Sequence, residues 1–307
     1  MAELHTITEG LRFPEGPIAM PDGSVVLVEI EAARLTRVKP DGSKETIAET
    51  GGGPNGAAIG PDGACYICNN GGFNWEETPE WLRPVGQGND YSGGRIERVD
   101  METGEVTVLY THCGDNPLKG PNDIVFDSHG GFYFTDLGKV RDRDMDRGGL
   151  YYALPDGSSI NEVAFPIITP NGVGLSPDDK TVYVAETETS RLWSYEVVAP
   201  GEVKTKPFPS VNGGELVAGL PGYQRFDSMA LDSAGNICVG TLIRGGVTII
   251  SPDGQNIEHI PTPDMFCTNI CFGGPDLKTA YLTQSFTGKL IALNWPRPGL
   301  PLHFLNK

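Results

Sequence analysis

Several features that would place this chain quickly are missing from it. No apolar run approaches the roughly 20 residues that a membrane-spanning helix needs, so no membrane is expected among its partners. Basic charge is scarce: 23 Lys and Arg face 40 Asp and Glu, a formal net charge of −17 over 307 residues. That balance sets the chain against nucleic acid and anionic surfaces. The first residues show no basic region running into an apolar stretch, so no signal peptide is expected. Nothing marks an oligomeric state. Histidine is rare, with five copies. The signatures G-x-S-x-G, H-E-x-x-H and G-x-x-x-x-G-K-[ST] are all absent.

Cysteine is sparse as well, with six scattered copies at 65, 68, 113, 238, 267 and 271. Cys65 and Cys68 spell C-x-x-C, but in an apolar strand pattern residues i and i+3 point to opposite faces. Buried free thiols are therefore expected, and with them a reduced, cytoplasmic setting.

Turn chemistry, by contrast, is abundant. The 41 Gly and 25 Pro fall largely in Pro-Asp-Gly and Gly-Gly turns between short apolar runs. That distribution favours an all-β fold. A search for internal repeats finds one sentence written six times. Its copies open at Pro14-Glu15-Gly16, Pro54-Asn55-Gly56, Pro121-Asn122-Asp123, Pro170-Asn171-Gly172, Phe226-Asp227-Ser228 and Thr268-Asn269-Ile270. Each copy leads through a tight turn to a second apolar strand, such as Val25–Val28 or Phe132–Thr135, and then to a second hairpin. Four strands in each of six repeats predict a six-bladed β-propeller, all antiparallel, as a single domain over 1–307. Closure needs an outer strand from one terminus, for which Leu4–Ile7 and Leu302–Leu305 both qualify.

Uneven repeat spacing locates two insertions. One spans about 70–94 and carries Phe73, Trp75, Trp81 and Tyr91; the other spans 137–149 and is strongly charged. Both follow a second strand, so both belong on the face where the repeats begin. Long loops in compact domains are usually functional, and a lid over a site is expected there.

The anchor residues of the six repeats are Glu15, Asn55, Asn122, Asn171, Asp227 and Asn269. In a propeller the same position of each innermost strand faces the axis, so six oxygen-bearing side chains should converge at one end. Two confined carboxylates repel and raise one another's pKa unless a cation lies between them. Carboxylate and amide oxygens are hard ligands that suit Ca²⁺, with Zn²⁺, Mn²⁺ and Mg²⁺ as alternatives. Six polar groups bonded to one another and to water would plug the channel equally well.

With Glu15-Gly16-Pro17, Gly120-Pro121-Asn122-Asp123, Phe134-Thr135-Asp136, Pro170-Asn171-Gly172 and Asp227-Ser228-Met229 in this order, the chain resembles the senescence marker protein, gluconolactonase and luciferin-regenerating enzyme family of six-bladed propellers. The resemblance implies a divalent ion held by Glu15, Asn122, Asn171 and Asp227, and hydrolysis of a small lactone with Asp227 as general base or nucleophile. Asn55, Asp123, Asn269, Trp75 and Asp136 are then expected to contact substrate or support the ligands, with Glu186, Thr241 and Gln284 at the same mouth. Ser228 stands where Gly is common in the family, and Gly120 where animal members carry a substrate-binding Arg. The family also includes organophosphate hydrolases, so hydrolysis of an organophosphate or non-sugar ester is a second expectation. A non-catalytic propeller that binds calcium or a partner is the third.

Overall fold

Each sequence repeat folds as one antiparallel sheet, because its apolar runs are short and every junction carries a turn residue. The computed structural model describes residues 4–307. The innermost strands are Pro14–Ala19, Pro54–Ile59, Pro121–Phe126, Pro170–Leu175, Arg225–Leu231 and Cys267–Gly273. They contact one another in cyclic order, the last returning to the first, so the six sheets form a closed ring of blades. The fold is the six-bladed propeller that the repeats predicted. Blade four departs slightly: two outer strands, Glu202–Lys204 and Glu215–Gly219, share the edge of Arg191–Ala199.

The core lies between the blades, where the faces of neighbouring sheets interlock. Between blades two and three, Tyr66 meets Phe126 at 5.1 Å and Phe132 at 5.9 Å between ring centroids. Near the axis there is no room for side chains on every residue. A Cβ on Gly56 would lie 2.4 Å from the Asn122 carbonyl oxygen, and one on Gly172 would lie 2.7 Å from that of Asp227. Glycine after the anchor is thus a packing requirement in blades two and four, whereas Asp123, Ser228 and Ile270 occupy that position in blades three, five and six.

Of the two candidate closing segments, the N-terminal one is used. Leu4–Thr8 pairs with Lys289–Asn294, with Leu4 opposite Leu293 and Thr6 opposite Ile291. Leu302–Leu305 is not a strand. It sits in the turn-rich segment that helps line the far end of the central channel, where Phe304 packs edge-on to Phe126 at 5.9 Å. All six cysteines are free, and five are buried. Among the described residues no helix is long and apolar enough to cross a membrane.

The insertions take definite shapes. Phe73–Glu77 and Leu82–Gln87 form a hairpin, docked by the Trp81 ring stacked on Phe286 at 4.9 Å. The charged loop folds on itself through a Val140–Met145 bridge.

A chain begun at Glu9 would leave the edge of Lys289–Asn294 unpaired and open blade six. Its calorimetric unfolding midpoint is expected to fall by at least about 5 °C, since 1 kcal/mol moves a chain of this size by roughly 2–4 °C. An unchanged midpoint would show that the strand is dispensable for closure.

Candidate metal centre and active site

The anchor residues reach the axis through a backbone device invisible in the sequence. In every blade the ladder between first and second strands slips near the anchor: between Glu15 and Ile18, Pro54 and Ala57, Pro121 and Ile124, Pro170 and Val173, Phe226 and Met229, and Cys267 and Asn269. Such bulges re-aim a side chain and are common beside functional sites. Glu15, Asn55, Asn122, Asn171 and Asp227 all face one cavity of about 810 Å³. Asn269 and Asp123 lie on the other side of the ring, towards the central channel.

Burial governs the electrostatics of the ring. It pushes the Glu15 carboxyl up to about 7, against hydrogen bonds from Asn269 and the Gly16 amide. It pushes Asp227 well above the usual carboxylate range, with the Glu15 charge as the next cause. Asp123 rises to about 8, again through burial first and Glu15 second. Three acidic groups therefore share a space in which they cannot all be charged without compensation.

Hydrogen bonding leaves specific atoms free for that compensation. Glu15 Oε2 accepts from Asn269 Nδ2 at 2.8 Å and from the Gly16 amide at 2.7 Å. Glu15 Oε1 and Asn122 Oδ1 are buried and have no partner. Asn171 is oriented from two sides: its Nδ2 donates to Thr187 Oγ1 at 3.1 Å, and its Oδ1 accepts from Ser228 Oγ at 3.2 Å. The hydroxyl at 228 thus steadies the Asn171 amide. Unpartnered buried acceptors are costly, and a cation between them and Asp227 would relieve both the vacancy and the repulsion. The residues fit a hard divalent ion. Among the described residues no group of three or more His, Cys, Asp or Glu could hold a metal, so two amides would have to complete this donor set.

The cavity lining is mixed. Phe13, Ile30, Phe73, Leu242 and Phe266 make up an apolar side of it, while Arg141, Arg143, Thr187, Glu188 and Arg225 add polar and charged groups, with Arg225 directly across the ladder from Leu242. Rings run continuously behind the apolar side: Phe73 to Trp75 at 6.1 Å, Trp75 to Phe13 at 5.2 Å, and Phe13 to Phe266 at 6.4 Å. Both insertions contribute to the walls, through residues of 73–89 and 137–144.

Several expected contacts lie elsewhere. Trp75 backs Phe13 and Phe73 and is not among the residues lining the cavity. Asp136 spends its oxygens on the amides of Lys119, Gly120 and Gly138 at 2.7, 2.7 and 2.9 Å. Glu186 accepts from the Ile168 amide, Thr241 bonds Thr248, and Gln284 accepts from the Asp264 amide. Their successors line the wall instead: Thr187 and Glu188 follow Glu186, and Leu242 follows Thr241. Phe13 and Arg225 were not among the expected residues, though each lies two residues before an anchor. Arg225 opens its strand, where alternation returns a side chain to the anchor's face, while Phe13 precedes its strand with a φ of 58° and reaches the cavity through that bend. Gly120 occupies that register position in blade three, and a Cβ there would lie 2.4 Å from the Gly138 carbonyl oxygen. The charged insertion fills the space that a side chain at 120 would need.

A family model described as SMP-30/Gluconolactonase/LRE-like region matches residues 13–286. Lactonase drp35 of Staphylococcus haemolyticus is 30% identical over 273 residues, covering 85% of this chain and 76% of its own. A gluconolactonase of Zymomonas mobilis is 25% identical over 298 residues, covering 88% and 76%. Among solved structures, the calcium-binding protein regucalcin from Agrobacterium tumefaciens superposes with a TM-score of 0.75 at 20% identity, covering 98% of both chains. That last likeness concerns the fold.

In metal-stripped protein, Asp227→Asn removes one of the mutually repelling carboxylates, so its unfolding midpoint is expected to exceed that of the parent. Ca²⁺ at about 100 times its dissociation constant should stabilise the parent by about 2.7 kcal/mol and leave the variant almost unmoved. A parent midpoint indifferent to Ca²⁺, Mn²⁺, Zn²⁺ and Mg²⁺ would remove the metal reading.

Proposed function

The chain belongs to the SMP-30/gluconolactonase/LRE-like family, and from that premise we propose that it is a divalent-metal-dependent lactonase acting on a small lactone. The observation that carries the reading is the pair of buried, unpartnered oxygens, Glu15 Oε1 and Asn122 Oδ1, beside Asp227 at the floor of an open cavity. Glu15, Asn122, Asn171 and Asp227 would hold the ion. Ca²⁺ suits these oxygens best, and the calcium binding of the regucalcin neighbour supports it; Zn²⁺, Mn²⁺ and Mg²⁺ are the other divalent loads. When bound, such an ion supplies Lewis-acid polarisation of an ester carbonyl.

The chain's own residues then have separable tasks. Asp227 takes the proton of the attacking water, or attacks the carbonyl carbon itself. Glu15 is fastened through Oε2 and acts as a fixed ligand rather than a proton carrier. Thr187 and Ser228 orient Asn171. Asn55, which lines the cavity, would bond the substrate, whereas Asp123 and Asn269 would support the ring from the channel side. Trp75 stiffens the aromatic wall, and Asp136 fixes the loop that delivers Asn122.

The lactonase names of the staphylococcal and Zymomonas relatives support a lactone as substrate. The wall of Phe13, Phe73 and Phe266 favours an apolar substituent on that lactone over a bare polyol. It is also the observation that keeps organophosphates and non-sugar esters as a second reading. A purely calcium-holding or partner-binding propeller would not need a cavity of about 810 Å³ over its ring.

A pH-indicator assay across aldonolactones, alkyl- and aryl-substituted lactones and organophosphates tests the reading. Turnover is expected on lactones, with the highest kcat/KM on those carrying an apolar group. Exhaustive chelation, Asp227→Asn and Glu15→Gln should each lower kcat by about 10²–10³-fold or more, from the scale of losing one transition-state stabiliser upwards. Full activity after chelation would refute the metal-dependent mechanism.

A further inference from the structure

Lys139 is a buried cation that the proposed chemistry does not use. It belongs to the most charged stretch of the chain, yet it is only 1% exposed. Its Nζ donates to Asn70 Oδ1 and to the Gly72 carbonyl oxygen, both at 2.9 Å. The same ammonium stands 4.0 Å from the centre of the Phe73 ring and 5.2 Å from that of Tyr91. All four partners belong to the other insertion.

This placement works against solvation. A lysine on a surface loop normally extends its stem and keeps its charge in water; here burial pushes the ammonium pKa down to about 7, while Asp136 and Asp146 pull it up. The base of the side chain is fixed as well. The Lys139 amide donates to Asp146 Oδ2 at 3.1 Å, its carbonyl accepts from the Asp146 amide at 2.9 Å, and Asp136 holds Gly138. Further along, the Gln87 amide donates to the Val140 carbonyl at 2.9 Å. Two segments separated by a whole blade opening are thus fastened together, and the ring under the ammonium, Phe73, is part of the cavity wall.

We propose that Lys139 is a positioning residue that locks the two insertions into one roof and holds the Phe73 ring in the cavity wall. It acts on substrate affinity and leaves the ring-opening step to Asp227. The kinetic part of this inference rests on the lactonase reading; the structural part does not.

Two measurements on the full chain separate them. Lys139→Met keeps the stem but removes the charge and the donors. On whichever lactone the parent turns over, its KM should rise about tenfold, the scale of a desolvated cation–π contact, with kcat within about twofold. In combination with Phe73→Leu the two effects on KM should be strongly non-additive, because one residue acts through the other. Amide hydrogen exchange of Lys139→Met should rise in 70–91 and 137–147 and stay unchanged in the strands of the six blades. Parent-like exchange in both insertions would overturn the roof. A raised exchange with an unchanged KM, with a kcat that falls as far as KM rises, or with effects of Lys139→Met and Phe73→Leu on KM that simply add, would overturn the positioning role. Absence of turnover by the parent on every lactone would count against the lactonase reading while leaving the exchange result to decide on the roof.

Discussion

Closure around a narrow axis is the constraint from which the rest follows. Six inner strands must approach closely enough that side chains after the anchors are excluded at Gly56 and Gly172. A strand continuing regularly would point its next residue into that crowd. The ladder slips instead, once per blade, and the slip turns the polar anchors towards the axis. Structural necessity thus delivers oxygen atoms to one point. What remains for chemistry is the choice of which oxygens they are.

That choice is a matter of charge. Six carboxylates would be untenable in so small a volume, and six amides would bind a cation weakly. With Glu15 and Asp227 as the carboxylates among the proposed ligands, the formal charge matches a divalent ion. The flanking amides of Asn122 and Asn171 add donors without adding repulsion. Asp123, one residue below the ring, would upset the match if it were ionised, and burial pushes its carboxyl up to about 8. The side chains around the ring keep its members from collapsing onto each other: Asn269 occupies Glu15 Oε2, and Ser228 with Thr187 occupies the Asn171 amide. Glu15 Oε1 and Asn122 Oδ1 stay unpartnered.

The blades and their order were legible in the sequence because each repeat carries its own turn and its own apolar periodicity. The anchors were legible because repetition assigns a common register, and register assigns a direction. Contacts made between repeats were not. Nothing local in Glu186 or Thr241 says that the wall is lined one or two residues later, at Thr187, Glu188 and Leu242. Nothing local in Asp136 says that its carboxylate is consumed by three backbone amides. The closing strand was ambiguous for the same reason: Leu4–Thr8 and Leu302–Leu305 are both short and apolar, and only the position of Lys289–Asn294 decides between them.

The insertions follow a different logic from the ring. A propeller of this kind gains nothing in closure from a hairpin over 73–87 or a charged loop over 137–147, so their cost in ordering must be recovered elsewhere. Part of it is recovered by burying rings: Trp81 on Phe286, Trp75 on Phe13, and Phe73 under Lys139. These contacts dock the hairpin against blades one and six and against the neighbouring loop, so the aromatic wall is built from parts that also serve as fasteners. The ring and the wall are therefore packed under separate constraints. Axial crowding restricts what can replace Asn122 or Asp227, whereas Phe13, Phe73 and Phe266 are restricted by their ring neighbours Trp75 and Phe286 and, for Phe73, by Lys139. On the proposed reading the ring would hold the ion and the wall would choose the substrate, so a change of ring residue and a change of wall residue would act on different steps.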